Sequence, residues 1–341
     1  MSVSASGLPF DDVRALMRSM PGPDLEAFVA VRERDRELTK PAGSLGRLEE
    51  LASWMAVWQG KAKPSCDRPL VCVFAANHGV AEQRVSAFPT SVTRQMLDNF
   101  AAGGAAINQI CATFDFGFKV FDLALDLPTE DFTKKPALDE KSAVATMAFG
   151  MEAIAGGADL LILGEMGIGN TTAAAAIYAA LFGGGGGKWA GRGTGVDDDA
   201  LARKILAIDL ALDLHRAHLQ DPLEVLRRLG GREIAALCGA IIAARLQRIP
   251  VVLDGYVVTA AAAILHAIDP GSIDHCVAGH LSAEGAHREA LARLNKMPIL
   301  ALEMRLGEAS GGALAAAIIK AAVATHNEMA TFDQAQVERK S

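Results

Sequence analysis

Aromatic side chains are scarce in this sequence. They make up 5% of its 341 residues, and acids outnumber bases 40 to 33, for a net charge of −7. A mildly acidic, aromatic-poor chain is a poor nucleic-acid binder, so we expect no nucleic-acid partner. Cysteine is scarce too. Cys66, Cys72, Cys111, Cys238 and Cys276 are odd in number, far apart and free of Cys-x-x-Cys spacing. That argues against a disulfide framework or a structural zinc site, and we read them as buried thiols of a reducing cytosol. Long apolar runs are missing as well. Residues 313–325 are interrupted by Lys320, and residues 171–187 end in five glycines. Neither supplies the ~20 uninterrupted apolar residues of a membrane span. The first residues, MSVSASGLPFDD, lack a basic stretch followed by an apolar core, so no secretory signal is read. The expectation is a cytoplasmic protein with no membrane partner.

What is abundant is small. Hydrophobic residues reach 51%, carried by Ala, Leu, Ile and Val, and there are 33 glycines. Small side chains let helices pack backbone to backbone and let amides reach a ligand. Charged, helical patterns fill the first 60 residues, over 11–20, 24–38 and 47–59. From Leu70 the character changes. LVCVFAANHGV, KVFDLALD (119–126), DLLILGEMGIGNTT (159–172), IPVVLDGYVV (249–258), HCVAGH (275–280) and PILALEM (298–304) are apolar runs that end in polar turns. Helical segments at 91–112, 141–156, 172–181, 198–217, 222–228, 232–246 and 313–326 separate or follow them. Strands apolar on both faces, alternating with helices, predict an α/β fold with a Rossmann-like parallel sheet flanked by helices. The run Gly183–Gly187 is read as a flexible surface loop and not as a site.

Ligands of open parallel sheets sit outside the carboxyl ends of the strands. Asn77-His78, Glu165, Asp254, His280 to Ser282 and Glu308 collect there. GEMGIGNTT follows a strand and opens a helix, a layout suited to an anion. It lacks the Gly-Lys-Ser/Thr of a Walker A loop, and a Thr N-cap in a tight turn would explain it equally. GRGTGVDDDALARK (191–204) is a second such loop, whose acids we read as first-turn helix residues, with Lys204 as a cation for a phosphate. In RLGEASGG (305–312), Glu308 is either a base with a raised pKa or an N-terminal helix acid. His275, His280, His287 and Glu284 carry no metal-binding pattern, since His275 lies in a strand and no His-Glu-x-x-His is present, so no metal is expected.

Taken in order, KPAGSLGRLE (40–49), ANHGV (76–80), VSAFPTSVT (85–93), GEMGIGNTT (164–172), GRGTG (191–195), DGYV (254–257), GHLSAE (279–284) and RLGEASGG resemble the nicotinate-nucleotide:dimethylbenzimidazole phosphoribosyltransferase family from about residue 38 to 325. Asn77 stands where the family has Asp, and Thr90 where a Gln is common. The resemblance implies a large domain over 61–312 carrying the active site. It also implies a small helical domain from 1–60 plus about 313–341, and a homodimer. The implied substrates are nicotinate mononucleotide and 5,6-dimethylbenzimidazole, the products α-ribazole 5′-phosphate and nicotinate, with inversion at the anomeric carbon and no cofactor. Glu308 would be the general base, and Glu165 would bind the ribose and stabilise positive charge. The phosphate would meet Gly167 and the Gly193-Thr194-Gly195 loop, with Lys204 and Ser282 near the mononucleotide. The benzimidazole would lie against Met166, Leu306 and the turn Ser86 to Thr90, where Phe88 either stacks on it or is plain core. Two other readings stay open: a transferase acting on another base, and a mononucleotide-binding module without turnover.

Overall fold

The computed structural model describes residues 9–193 and 195–338. Thr194 therefore lies outside the described residues. Three helices come first: α1 (Pro9–Arg18), α2 (Leu25–Glu37) and α3 (Arg47–Gln59). Six strands follow: β1 (Pro69–Ala75), β2 (Gly117–Asp122), β3 (Leu160–Met166), β4 (Val251–Leu253), β5 (Cys276–His280) and β6 (Pro298–Leu300). Between the strands run α4 (Ser91–Ala101), α5 (Ala106–Phe114), α6 (Glu140–Ala153), α7 (Asn170–Phe182), α8 (Gly185–Trp189), α9 (Asp198–His215), α10 (Pro222–Leu229), α11 (Arg232–Leu246), α12 (Tyr256–Ile268) and α13 (His287–Arg293). The chain closes with α14 (Ser310–Glu328) and α15 (Phe332–Ala335).

All strand pairs are parallel, in the order β2-β1-β3-β4-β5-β6. Strand order reverses between β1 and β3, which places a topological switch point, and a ligand crevice, at their carboxyl ends. The period of two in β1 divides its side chains between two cores. Cys72 and Phe74 join the cluster beneath α6, α7, α11 and α12. Val71 and Val73 join the cluster beneath α3, α5 and α14. Burial on both faces holds for β1, β3 and β4 but fails at the edges, where β2 alternates with solvent and β6 is half-buried. An edge strand has a neighbour on one side only, and less helix lies over it.

The small residues do what their abundance suggests. Helices α6 and α11 approach so closely that a Cβ on Gly150 would lie 2.0 Å from the Ala236 carbonyl oxygen, and one on Gly239 1.9 Å from that of Met147. The two chain ends meet. Leu38 bridges Thr331, and the Arg34 Nε donates to the His326 carbonyl at 2.9 Å.

Two sequence expectations change. The helix expected over 91–112 is two helices, because Gly103 turns left-handed at φ 77° and breaks it. The glycine run is not a free loop. Gly185 begins α8, and Gly186 is buried, donating its N–H to Asp209 Oδ1 at 2.6 Å. Without a side chain, that turn packs directly on α9, and Trp189 caps it by donating to the Gly183 carbonyl at 2.7 Å.

Candidate active site

A cavity of about 380 Å³ opens at the switch point. That volume suits a small-molecule ligand, for which sites run ~300–1,000 Å³. Glu165 and Met166 end β3, and the turn Gly167 to Gly169 carries the wall into α7. The N-cap of α7 is Gly169, with no side-chain cap, so the Thr N-cap alternative does not hold. Instead the Thr171 Oγ1 receives a hydrogen bond from Lys204 at 3.0 Å, and the Lys204 Nζ also donates to the Gly191 carbonyl at 2.9 Å. Of the three ammonium donors, one is left for a ligand. Burial pushes the Lys204 pKa down, and the nearby Glu284 carboxylate opposes that. An incoming anion would oppose it further. Ser282 and Glu284 line the same end, and Glu284 Oε1 has no partner among the described residues.

The acids after GRGTG behave as read. Asp197 caps α9 by accepting from the Ala200 N–H, and Asp198 and Asp199 fill its first turn. Gly193 lines the cavity; Gly195 does not.

The other end is made of carboxylates. Gly307, Glu308 and Ala309 are all left-handed, at φ 85°, 61° and 65°, just before α14. Two adjacent non-glycine residues in that region store strain, a recurrent feature of functional sites. The turn is tied down where the Glu308 N–H donates to the Glu165 carbonyl at 3.2 Å. A Cβ on Gly307 would stand 2.7 Å from Glu165 Oε1, so this position must be glycine for the two acids to share one floor. Glu308 is 4% exposed and its Oε2 has no protein partner. Burial pushes its pKa up to about 7, with Asp254 adding to the rise and the Ile107 N–H opposing it. Glu165 shows a face to the cavity but is otherwise ringed by protein. Burial pushes it up to about 8, reinforced by Glu233, Asp254 and Glu308 and opposed by the Asn170 amide that donates to its Oε2.

Between the ends lies an apolar wall. Leu306 and Phe88 are 50% and 48% exposed, with Met166, Val85, Val92 and Met96 beside them. Phe88 is therefore a wall residue and not core. Ser86 lines this wall; Thr90 does not, and forms the N-cap of α4 instead. Asn77 also stays out of the cavity and donates to the Leu125 carbonyl at 3.0 Å. The three histidines serve separate ends. His275 is buried with its Nε2 3.0 Å from the Ile241 carbonyl, His287 accepts from the Ser282 N–H at 2.9 Å, and His280 faces the cavity 3.4 Å from Asp254.

Several site residues were not singled out from the sequence. Val92 and Met96 sit one turn apart on α4, a spacing that reads as ordinary core. Arg192 and Arg305 line the cavity from within the GRGTG and RLGEASGG segments, whose glycines and acid drew the eye instead. Glu233 reads as a first-turn helix acid, yet it is fully buried against His78.

Comparison with known proteins bears on this arrangement. A family model described as phosphoribosyltransferase matches residues 20–337. A nicotinate-nucleotide–dimethylbenzimidazole phosphoribosyltransferase of Rhizobium rhizogenes is 64% identical over 338 residues, covering 99% of this chain and 100% of that protein. The enzyme of the same name from Sinorhizobium medicae shows the same identity and coverage. A crystal structure of the enzyme from Thermus thermophilus superimposes with a TM-score of 0.85 at 40% identity, covering 93% of this chain and 100% of that one. A match this long, at this identity and over the same sheet, assigns the chain to the nicotinate-nucleotide–dimethylbenzimidazole phosphoribosyltransferase family.

Proposed function

We propose that this chain transfers the phosphoribosyl group of nicotinate mononucleotide to 5,6-dimethylbenzimidazole, releasing nicotinate and α-ribazole 5′-phosphate. The observation that carries the reading is the polarity of one cavity. Lys204 stands at one end and the Glu165–Glu308 pair at the other. A pyridinium mononucleotide has the matching polarity, with an anionic phosphate at one end and a cationic ring on the anomeric carbon at the other.

In this reading the phosphate meets Lys204, the Gly167 and Gly193 backbone and Ser282. The benzimidazole lies on Met166, Leu306, Phe88 and Ser86. One ring nitrogen attacks the anomeric carbon from the face opposite nicotinate. The bond to nicotinate breaks, and its electron pair returns to the pyridine nitrogen. The anomeric carbon carries positive charge in passage, as in other glycosyl transfers, and ends inverted. The proton on the other benzimidazole nitrogen becomes acidic, and Glu308 takes it. A base titrating near 7 suits that transfer. Glu165, once ionised, faces the developing charge. Thr90 has no role in this account.

We also carry over the homodimer, for which the exposed Leu206, Leu210 and Leu214, one face of α9, offer apolar surface. No helix among the described residues is long and apolar enough to cross a membrane.

Incubating the protein with both substrates and following products by proton NMR tests the reading. Nicotinate release with an α-anomeric signal is expected. Nicotinate release without benzimidazole, or a β product, would sink it.

A further inference from the structure

Beneath the cavity floor lies a polar pair that touches no ligand surface. His78 follows β1 and Glu233 opens α11. Both side chains are fully buried, with His78 Nε2 2.6 Å from Glu233 Oε1. A Cβ on Gly231 would stand 2.2 Å from His78 Cε1 and 2.6 Å from Glu233 Oε2, so the residue ahead of the helix is stripped to make room for the pair. A buried polar pair of this kind is weak as a source of stability, because desolvation offsets its attraction. Its placement points to another use.

The pair reaches the cavity through Gly167. A Cβ there would lie 3.5 Å from His78 Cδ2 and 3.5 Å from Asn170 Nδ2, so ring and amide flank one glycine. Asn170 in turn donates to Glu165. The charged groups facing Glu165 are Glu233 from α11, Asp254 from the end of β4 and Glu308 from the turn before α14. His78 and His280 stand behind Glu233 and Asp254 respectively. Among the groups that act on Glu165, drawn from the described residues, the Asn170 amide is the one that favours its charge. Glu233 does not act on Glu308.

We propose that Glu233, held by His78, is a positioning residue that keeps a proton on Glu165 in the empty cavity and lets it leave when a cationic pyridinium ring enters. The pyridinium part rests on the transferase reading above. The pyridinium nitrogen brings its positive charge to the anomeric end, the ring's own carboxylate stands on the far side of the ring, and one proton departs from Glu165 to solvent. Burial and the neighbouring anions, Glu233 foremost, give Glu165 its value of about 8, which leaves it mostly protonated near neutrality. A cation beside it moves that value down.

Two measurements test this. Infrared titration of the glutamate carboxyls, with the Glu165→Gln spectrum subtracted, reads the Glu165 midpoint without any turnover. In Glu233→Gln the midpoint is expected to fall by about one pH unit or more, a tenfold change in proton affinity. An unchanged midpoint overturns the proposal. Should Glu233→Gln fold poorly, the His78→Gln, Glu233→Gln double variant keeps an amide hydrogen bond in the same volume, and the same fall is expected. Calorimetry of nicotinate mononucleotide binding, in buffers of different ionisation heat, counts protons released. The wild type is expected to release more than Glu233→Gln at pH 7, with any Glu308 contribution common to both. Equal counts overturn the discharge step. Absence of any mononucleotide binding by the wild type would instead sink the transferase reading, while the titration still decides the coupling between Glu233 and Glu165.

Discussion

At the Lys204 end of the cavity most polar groups are paired, with Glu284 Oε1 the exception among the described residues. The ammonium already spans Thr171 and Gly191, and Ser282 is fixed by His287 through its backbone N–H. At the Glu308 end they come unsatisfied and on unusual backbone. Among the described residues Glu308 Oε2 and Asp254 Oδ2 have no partner, and Glu308 sits in a run of three left-handed residues. In the proposed reaction the first end holds a charge that does not change, and the second holds protons that move, which requires low water access and like charges close together. Both lie on loops after strands of one sheet, so the fold supplies a frame and the turns supply the chemistry.

Breaking the second end has the largest expected effect. Glu308→Gln is expected to lower kcat by about 10²- to 10⁴-fold while mononucleotide affinity stays close to wild type. Kinetics and calorimetry on the folded variant check this, and near-normal turnover would remove Glu308 from its role. Lys204→Met attacks the first end. It removes a charge-assisted contact, typically ~1.5–3 kcal/mol, so KM for the mononucleotide should rise about 10- to 100-fold with kcat largely kept. A fall confined to kcat would contradict the division of labour.

The pH dependence sharpens the contrast. Glu308 as base must be ionised, so kcat/KM should climb from acid pH through about 7. Stability should run the other way. Glu165 and Glu308 titrate near 8 and 7 in the fold, against an ordinary 4.5. The folded state therefore holds their protons more tightly than the unfolded chain, and stability falls as pH rises from about 4.5 through about 8. Glu165→Gln is expected to match the wild-type melting midpoint near pH 4.5 and to exceed it by about 2 °C or more at pH 8. Calorimetric scans at the two pH values decide this. The smallest effect belongs to the wall between the ends. Phe88→Ala should weaken benzimidazole alone, raising its KM about 10-fold, because an apolar contact of this kind contributes ~1–3 kcal/mol. An equal loss at the mononucleotide would show that the wall is shared.

Legibility in the sequence followed range. Helices α2 and α3 were readable because their caps and apolar spacing are local: Asp24 caps α2 and Gly60 closes α3. The central strands were readable as apolar runs. Glu165 and Glu308 stand out because each lies beside glycine, Glu165 at the end of β3 and Glu308 in the turn before α14. The break at Gly103 and the burial of Gly186 were not readable, since a glycine marks freedom without saying which neighbour will use it. The family resemblance implies Thr90 near the benzimidazole, but the tertiary path of that turn sends it to the start of α4, away from the cavity.

The sequence by itself determined the alternation of apolar strands and helices, the class of sheet and the glycine-flanked acids, because these depend on residues near one another in the chain. Only the tertiary structure decided that Glu233 lies behind Glu165, 68 positions away, and that Asp254 acts on both acids. It also decided which of the glycines are spaces for another element and which are turns. Charge–charge and close-packing effects act through space, and the strand order that brings the ends of β1, β3 and β4 together is set by the whole sheet.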